Sequence, residues 1–108
     1  MKLFDLLFTR KPKGTDALVH IEDIIIPRCF RSTRPKRWKM ERVIDYYKAH
    51  GKVDKPLLVE VITNESGRCN KFLVTDQYTR YLVLKEMGVK RVPIKYSQSL
   101  QDIHKITL

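Results

Sequence analysis

Cys69-Asn70-Lys71-Phe72-Leu73-Val74-Thr75-Asp76-Gln77-Tyr78-Thr79-Arg80-Tyr81 is the stretch that decides the fold. Residues 69–74 read as an apolar strand. The chain then passes directly into a helix predicted over residues 76–87, with Gly88 beyond it. Asp76 carries the short acceptor of an N-cap, suited to amides of the first helical turn. In this reading the amides left over, with Arg80 one turn further on, form a small anion pocket. Asp76, Gln77, Tyr78, Thr79 and Arg80 are therefore the candidate phosphate or nucleotide site. A plainer reading stands beside it: Asp76 is only a cap, and Arg80 only pairs with a carboxylate such as Glu86 or Asp54.

Working outward, Pro56 opens a strand that runs to Thr63, with Leu57, Val59 and Val61 alternating against Leu58, Glu60 and Ile62. Asn64-Glu65-Ser66-Gly67 is a turn by composition, and residues 71–75 return as the hairpin partner. After Gly88, residues 89–94 hold a short strand. Pro93 lies inside it and predicts an edge or terminal position, because proline donates no rung to a ladder. Residues 97–108 give no firm assignment.

On the other side, residues 17–21 read as a first strand. Ile24, Ile25 and Ile26 follow, and Pro27 stops the run. Residues 28–34 read as an irregular basic loop. Pro35 suits the first turn of a helix that runs to His50, with Gly51 placed to end it. Trp38, Val43, Tyr46 and Tyr47 predict its buried stripe; Phe30 fits either core or surface. The order is strand, helix, two strands, helix, strand. It does not alternate as a doubly wound sheet does, and it predicts an α+β domain: a small mixed sheet with helices packed on it. Residues 1–16 form an N-terminal segment and linker, and residues 17–108 form the domain. Residues 1–8 (MKLFDLLF) suit a short amphipathic helix with Leu3, Leu6 and Leu7 on one side, docked on the domain or serving as an oligomer contact.

Lys and Arg number 22 against 12 Asp and Glu, a net charge of +10 and a pI near 9.8. Such a field attracts polyanions, nucleic acid first. Arg28, Arg31, Arg34, Lys36, Arg37, Lys39 and Arg42 are dense in one stretch whose only carboxylate is Glu41. Like charges so close repel unless an anion meets them. Arg28, Lys36, Arg37 and Lys39 are the candidate nucleic-acid contacts. Cys29 and Cys69 form no metal-ligand or redox spacing, and His20, His50 and His104 share none, so no metal site is expected. No run approaches the roughly 20 apolar residues needed to cross a bilayer, and no export signal is evident, so a cytoplasmic protein is expected.

The order of motifs resembles the ParB/sulfiredoxin superfamily. The elements that carry the resemblance are Ile26-Pro27, Arg31 or Arg34, His50-Gly51, Lys55-Pro56-Leu57-Leu58-Val59, Thr75-Asp76-Gln77-Tyr78-Thr79-Arg80, and Gly88 through Val92-Pro93. They span roughly residues 19–96. The resemblance implies that the helix start and an upstream arginine hold nucleotide phosphates, with Arg80 as the motif arginine and Arg31 and Arg34 closing from the facing loop. The implied ligand is a nucleotide such as CTP or ATP, with magnesium. Nucleic acid is an implied partner, and a homo-oligomer is in range. Where the motif usually has glycine, this chain has Gln77, whose side chain narrows the pocket. The sulfiredoxin nucleophile position is Tyr78, which supplies no thiolate, so sulfiredoxin activity is not expected. The helix-turn-helix reader that follows this domain in ParB is not expected in the residues after Tyr96, so the resemblance does not imply centromere-specific DNA binding. The reading that results is a ParB-like module binding nucleotide or nucleic-acid phosphate in a DNA-associated role. The alternatives are a ParB-like phosphohydrolase or nuclease, with Asp76 as the available general base or metal-holding group, and a basic interaction domain with a degenerate ligand site. No catalytic residue is assigned.

Overall fold

A computed structural model describes residues 11–63, 67 and 69–97. The expectations for residues 1–8 and for the chain beyond Ser97 lie outside the described residues. Strand β1 spans Ala17–His20 and leads through one 3-10 turn, Ile21–Asp23, into the two-residue strand β2, Ile24–Ile25. Helix α1 is Arg28–Arg31 and helix α2 is Arg37–His50. Strands β3, Leu57–Thr63, and β4, Cys69–Asp76, form an antiparallel pair. Helix α3 is Tyr78–Glu86, and strand β5 is Arg91–Tyr96. The five strands lie in the order β1-β5-β3-β4-β2. β1 pairs antiparallel with β5, β5 parallel with β3, and β2 parallel with β4. The domain is α+β with a mixed sheet, as the residue pattern predicts.

Three local expectations need correction. The first concerns β5, which is an interior strand between β1 and β3 and not an edge. Pro93 is tolerated there because of where its nitrogen points. The carbonyls of Lys90 and Ile94 accept from Ile21 and Asp16, on the β1 side. Alternation along the strand turns Pro93 toward β3, where pairing begins only at Leu57 opposite Ile94. No rung of the ladder is left without its donor.

The second concerns residues 28–34. They are not wholly irregular: Pro27 accepts from the amides of Phe30 and Arg31 and starts the single turn of α1. The third concerns Trp38. Its side chain is exposed, at 52% of its full surface. The buried face of α2 is Met40 and Val43, with Ile44 and Tyr47 packed against the core. Trp38 is two residues before Met40, about 200° around the helix, and so points the other way.

Leu57, Val59, Val74, Val83, Val92 and Ile94 are fully buried and hold the sheet to the helices. Each contributes roughly 1.5–3 kcal/mol of apolar burial. Gly51 ends α2 in the left-handed region, at φ 73°, with its amide donating to Tyr47. Gly88 takes the same conformation after α3, at φ 74°.

Candidate functional site

β4 delivers its last residue, Asp76, to the point where α3 begins. The turn between them is made by Gln77 alone, at φ 71° and ψ 34°. It is the one non-glycine residue with positive φ among the described residues. The glycine usual at this place in the motif is thus explained by backbone conformation. An L side chain here carries a cost of about 1 kcal/mol relative to glycine.

This turn moves the cap. Gln77 occupies the N-cap position, and its carbonyl accepts from the amides of Arg80 and Tyr81 at 3.1 and 3.2 Å. Asp76 is not the cap: its Oδ1 accepts from the Gln77 amide at 2.7 Å. The amides of Tyr78 and Thr79 have no acceptor among the described residues. The Asp76 carboxylate, one residue away, competes with any anion approaching those two donors.

The Arg80 side chain is only 18% exposed, and its guanidinium is engaged at every nitrogen. Nε donates to Asp54 Oδ1 at 2.8 Å and Nη2 to Asp54 Oδ2 at 2.9 Å. Nη1 donates to Gln77 Oε1 at 2.6 Å. Two parallel bonds to one carboxylate are the strong, fork-to-fork form of this pair. Arg80 holds the Asp54 carboxyl below its ordinary pKa, first by these hydrogen bonds and then by its charge, against an opposing effect of burial. The plainer reading of Arg80 therefore describes this geometry: its guanidinium is taken up by an internal carboxylate and the Gln77 amide oxygen. Composition pointed to Asp54 only as one of two carboxylates, because the pair is 26 positions apart.

The structure brings α1 to the same helix start, through Phe30 stacked on Tyr78 with ring centres 5.3 Å apart. It does not bring Arg34 there. Arg34 lies 3.8 Å from Glu86, at the opposite end of α3. Arg31 is exposed on α1.

A second constellation is fully open. Arg28, Arg31, Arg34, Lys36, Arg37, Lys39 and Arg42 are all exposed along α1, the following loop and α2. Arg37 pairs with Glu41 at 3.2 Å and Arg34 with Glu86. Arg28, Arg31, Lys36, Lys39 and Arg42 have no carboxylate partner among the described residues. Trp38 stands among them, with the Lys39 ammonium 5.7 Å from its ring centre. An exposed indole amid cations is an arrangement able to stack on a base while the cations meet phosphates. Among the described residues no three His, Cys, Asp or Glu side chains are grouped to hold a metal. None of the described helices is long and apolar enough to cross a membrane.

No family model matches the chain, and no curated relative matches it. Solved structures do. Sulfiredoxin from Arabidopsis thaliana superposes with a TM-score of 0.60 at 15% identity, covering 83% of this chain and 94% of that one. The C-terminally truncated chromosome-partitioning protein ParB from Caulobacter crescentus, complexed with CTP-gamma-S, gives 0.57 at 16%, covering 83% and 48%. A free serine kinase in complex with AMP gives 0.60 at 18%, covering 86% and 38%. The chain thus spans little more than a third of the kinase and about half of the truncated ParB. These likenesses show the fold: the chain has the ParB/sulfiredoxin-like fold.

Proposed function

We propose that this domain binds nucleic acid through the face made by α1 and α2, with cations on phosphates and Trp38 stacked on a base. The observation that carries the reading is the pairing of an exposed tryptophan with a run of cations that lack internal partners. Trp38 is the most exposed of the large apolar side chains among the described residues, and it stands within the densest run of unpaired cations. Folds of this kind that carry nucleotide or parS DNA are compatible with a polyanionic ligand, but the fold alone does not supply the function.

Trp38 is the only tryptophan, which makes it the probe. Titration with single- and double-stranded oligonucleotides quenches its fluorescence. The apparent affinity falls linearly with salt on logarithmic axes, with a slope of about −0.7 per phosphate for single strands and −0.9 for duplex. Unchanged fluorescence and no gel shift with either strand form overturn the reading.

A nucleotide at the α3 start is the second reading. The free amides of Tyr78 and Thr79 favour it, and the Asp54–Arg80 pair opposes it. A nucleotide such as CTP or ATP, with magnesium, would use those amides and would draw Arg80 away from Asp54. Calorimetry tests it: heat with the wild type that vanishes in Arg80→Ala supports it, and no heat with any nucleotide excludes it.

A further inference from the structure

At the far end of the two long helices from the α3 start, a cavity of about 690 Å³ opens where both helices stop. Its walls are apolar, with Leu18, Tyr47, Val53, Leu84, Met87 and Val89 facing it. Met87 is left 38% exposed there. Lys52, Lys90 and Arg91 also line it, and none has a carboxylate partner among the described residues. The volume falls in the range of roughly 300–1,000 Å³ that holds a compact apolar ligand.

Pro12 forms part of the wall and is itself buried. Its carbonyl is fixed by the Thr15 hydroxyl at 2.6 Å and the Thr15 amide at 3.3 Å, and the Asp16 amide donates to Ile94. The chain is therefore anchored at the mouth of the cavity as it runs back toward residue 1. Residues 9–11 separate Pro12 from Phe8 and reach at most about 10 Å when extended. The eight residues beyond are Met-Lys-Leu-Phe-Asp-Leu-Leu-Phe, apolar but for Lys2 and Asp5. A tether this short raises the local concentration of the segment to about the millimolar range. It favours this chain's own segment over another molecule's.

We propose that residues 1–8 of the same chain fill this cavity, with their leucine and phenylalanine side chains on its walls and Asp5 facing Lys52, Lys90 and Arg91. The inference does not depend on nucleic-acid binding, which uses a different face. Amide NMR spectra of the whole chain test it. The Leu3→Asp/Leu6→Asp/Leu7→Asp variant shifts the amides of residues 51–53 and 88–91 and leaves those of β3 and β4 in place. It also lowers Tm by several degrees. Val89→Glu, on the wall, brings the signals of residues 1–8 to the positions they take in the triple variant. Asp5→Lys moves the cavity amides in the same direction by a smaller amount. Unmoved amides at residues 51–53 and 88–91 in the triple variant overturn the proposal, whether or not Val89→Glu folds. Wild-type shifts that vary with protein concentration overturn it in favour of a second copy. Shifts of residues 1–8 with phosphatidylglycerol vesicles, the cavity amides staying fixed, overturn it in favour of a membrane surface.

Discussion

The start of α3 and the face of α1 and α2 solve the same problem in opposite ways. Both place arginine where motif position or charge density points to an anion. At α3 the charge is answered inside the molecule, by two oxygens of Asp54 and one of Gln77. On the α1–α2 face most of the charge is left unanswered and fully wet. A partly buried arginine in a finished network stabilises the fold and has little left to offer a ligand. Exposed, unpaired cations add little to stability and keep their field for a partner. Motif position and unpaired charge thus separate in this chain, and each region is tested by what its loss removes.

The largest expected effect belongs to the open face. Reversing Arg31, Arg37 and Lys39 to Glu lowers oligonucleotide affinity by about 100-fold or more near physiological salt, and flattens the salt slope by roughly one unit per lost phosphate contact. Tm moves little, because none of the three is buried. Arg80→Ala is the control and leaves affinity within about twofold. If Arg80→Ala costs as much affinity as the triple reversal, the contrast between the regions is wrong.

Next comes the closed region. Asp54→Ala leaves the Arg80 guanidinium half-buried with only Gln77 as partner. The expected loss is about 1–3 kcal/mol of stability, the range for hydrogen bonds to charged groups, read by urea denaturation. The acid limb carries the sign. Asp54 has a folded-state pKa below its unfolded value. Its contribution is therefore complete above about pH 4, the unfolded pKa. It is lost as pH falls through the depressed folded value. Wild type and Asp54→Asn differ by a constant amount at neutral pH and converge in acid. A constant difference down to about pH 2 removes the carboxylate from the explanation. Trp38→Ala ranks third, with a loss of about 1–3 kcal/mol in single-strand binding for one stacked base and nearly unchanged stability.

Much of the architecture was legible in the residues, for reasons specific to each element. Leu57, Val59 and Val61 alternate as a half-buried strand must, and Gly51 and Gly88 stand where helices end. The direct step from an apolar strand into α3 placed the hairpin and the helix together. Four things were not legible. Pro93 reads as an edge signal, because its tolerance in β5 depends on where pairing with β3 begins. Trp38 reads as core by residue type, and only the phase set by Met40 and Val43 turns it outward. The Arg80–Asp54 fork joins positions far apart in sequence. Local pattern names both residues and cannot join them. Asp76 looks like a cap because the left-handed turn at Gln77, which shifts the helix start by two residues, leaves no composition signal once glycine is absent.

Gln77 is where the smallest and sharpest effect is expected. Gln77→Gly relieves the positive-φ cost of about 1 kcal/mol and removes the bond from Arg80 Nη1 to Oε1. The two changes have opposite sign and similar size, about 0.5–1.5 kcal/mol for the hydrogen bond. Net stability therefore changes by less than about 1 kcal/mol. Affinity for inorganic phosphate or CTP distinguishes what stability does not. With the side chain gone, one guanidinium nitrogen is freed beside the amides of Tyr78 and Thr79, while Asp54 still holds Nε and Nη2. Calorimetry of Gln77→Gly, Asp54→Asn and the double variant orders the two obstacles. Binding that emerges only in the double variant makes the internal carboxylate the dominant barrier. Binding that emerges already in Gln77→Gly makes the Gln77 side chain the dominant barrier.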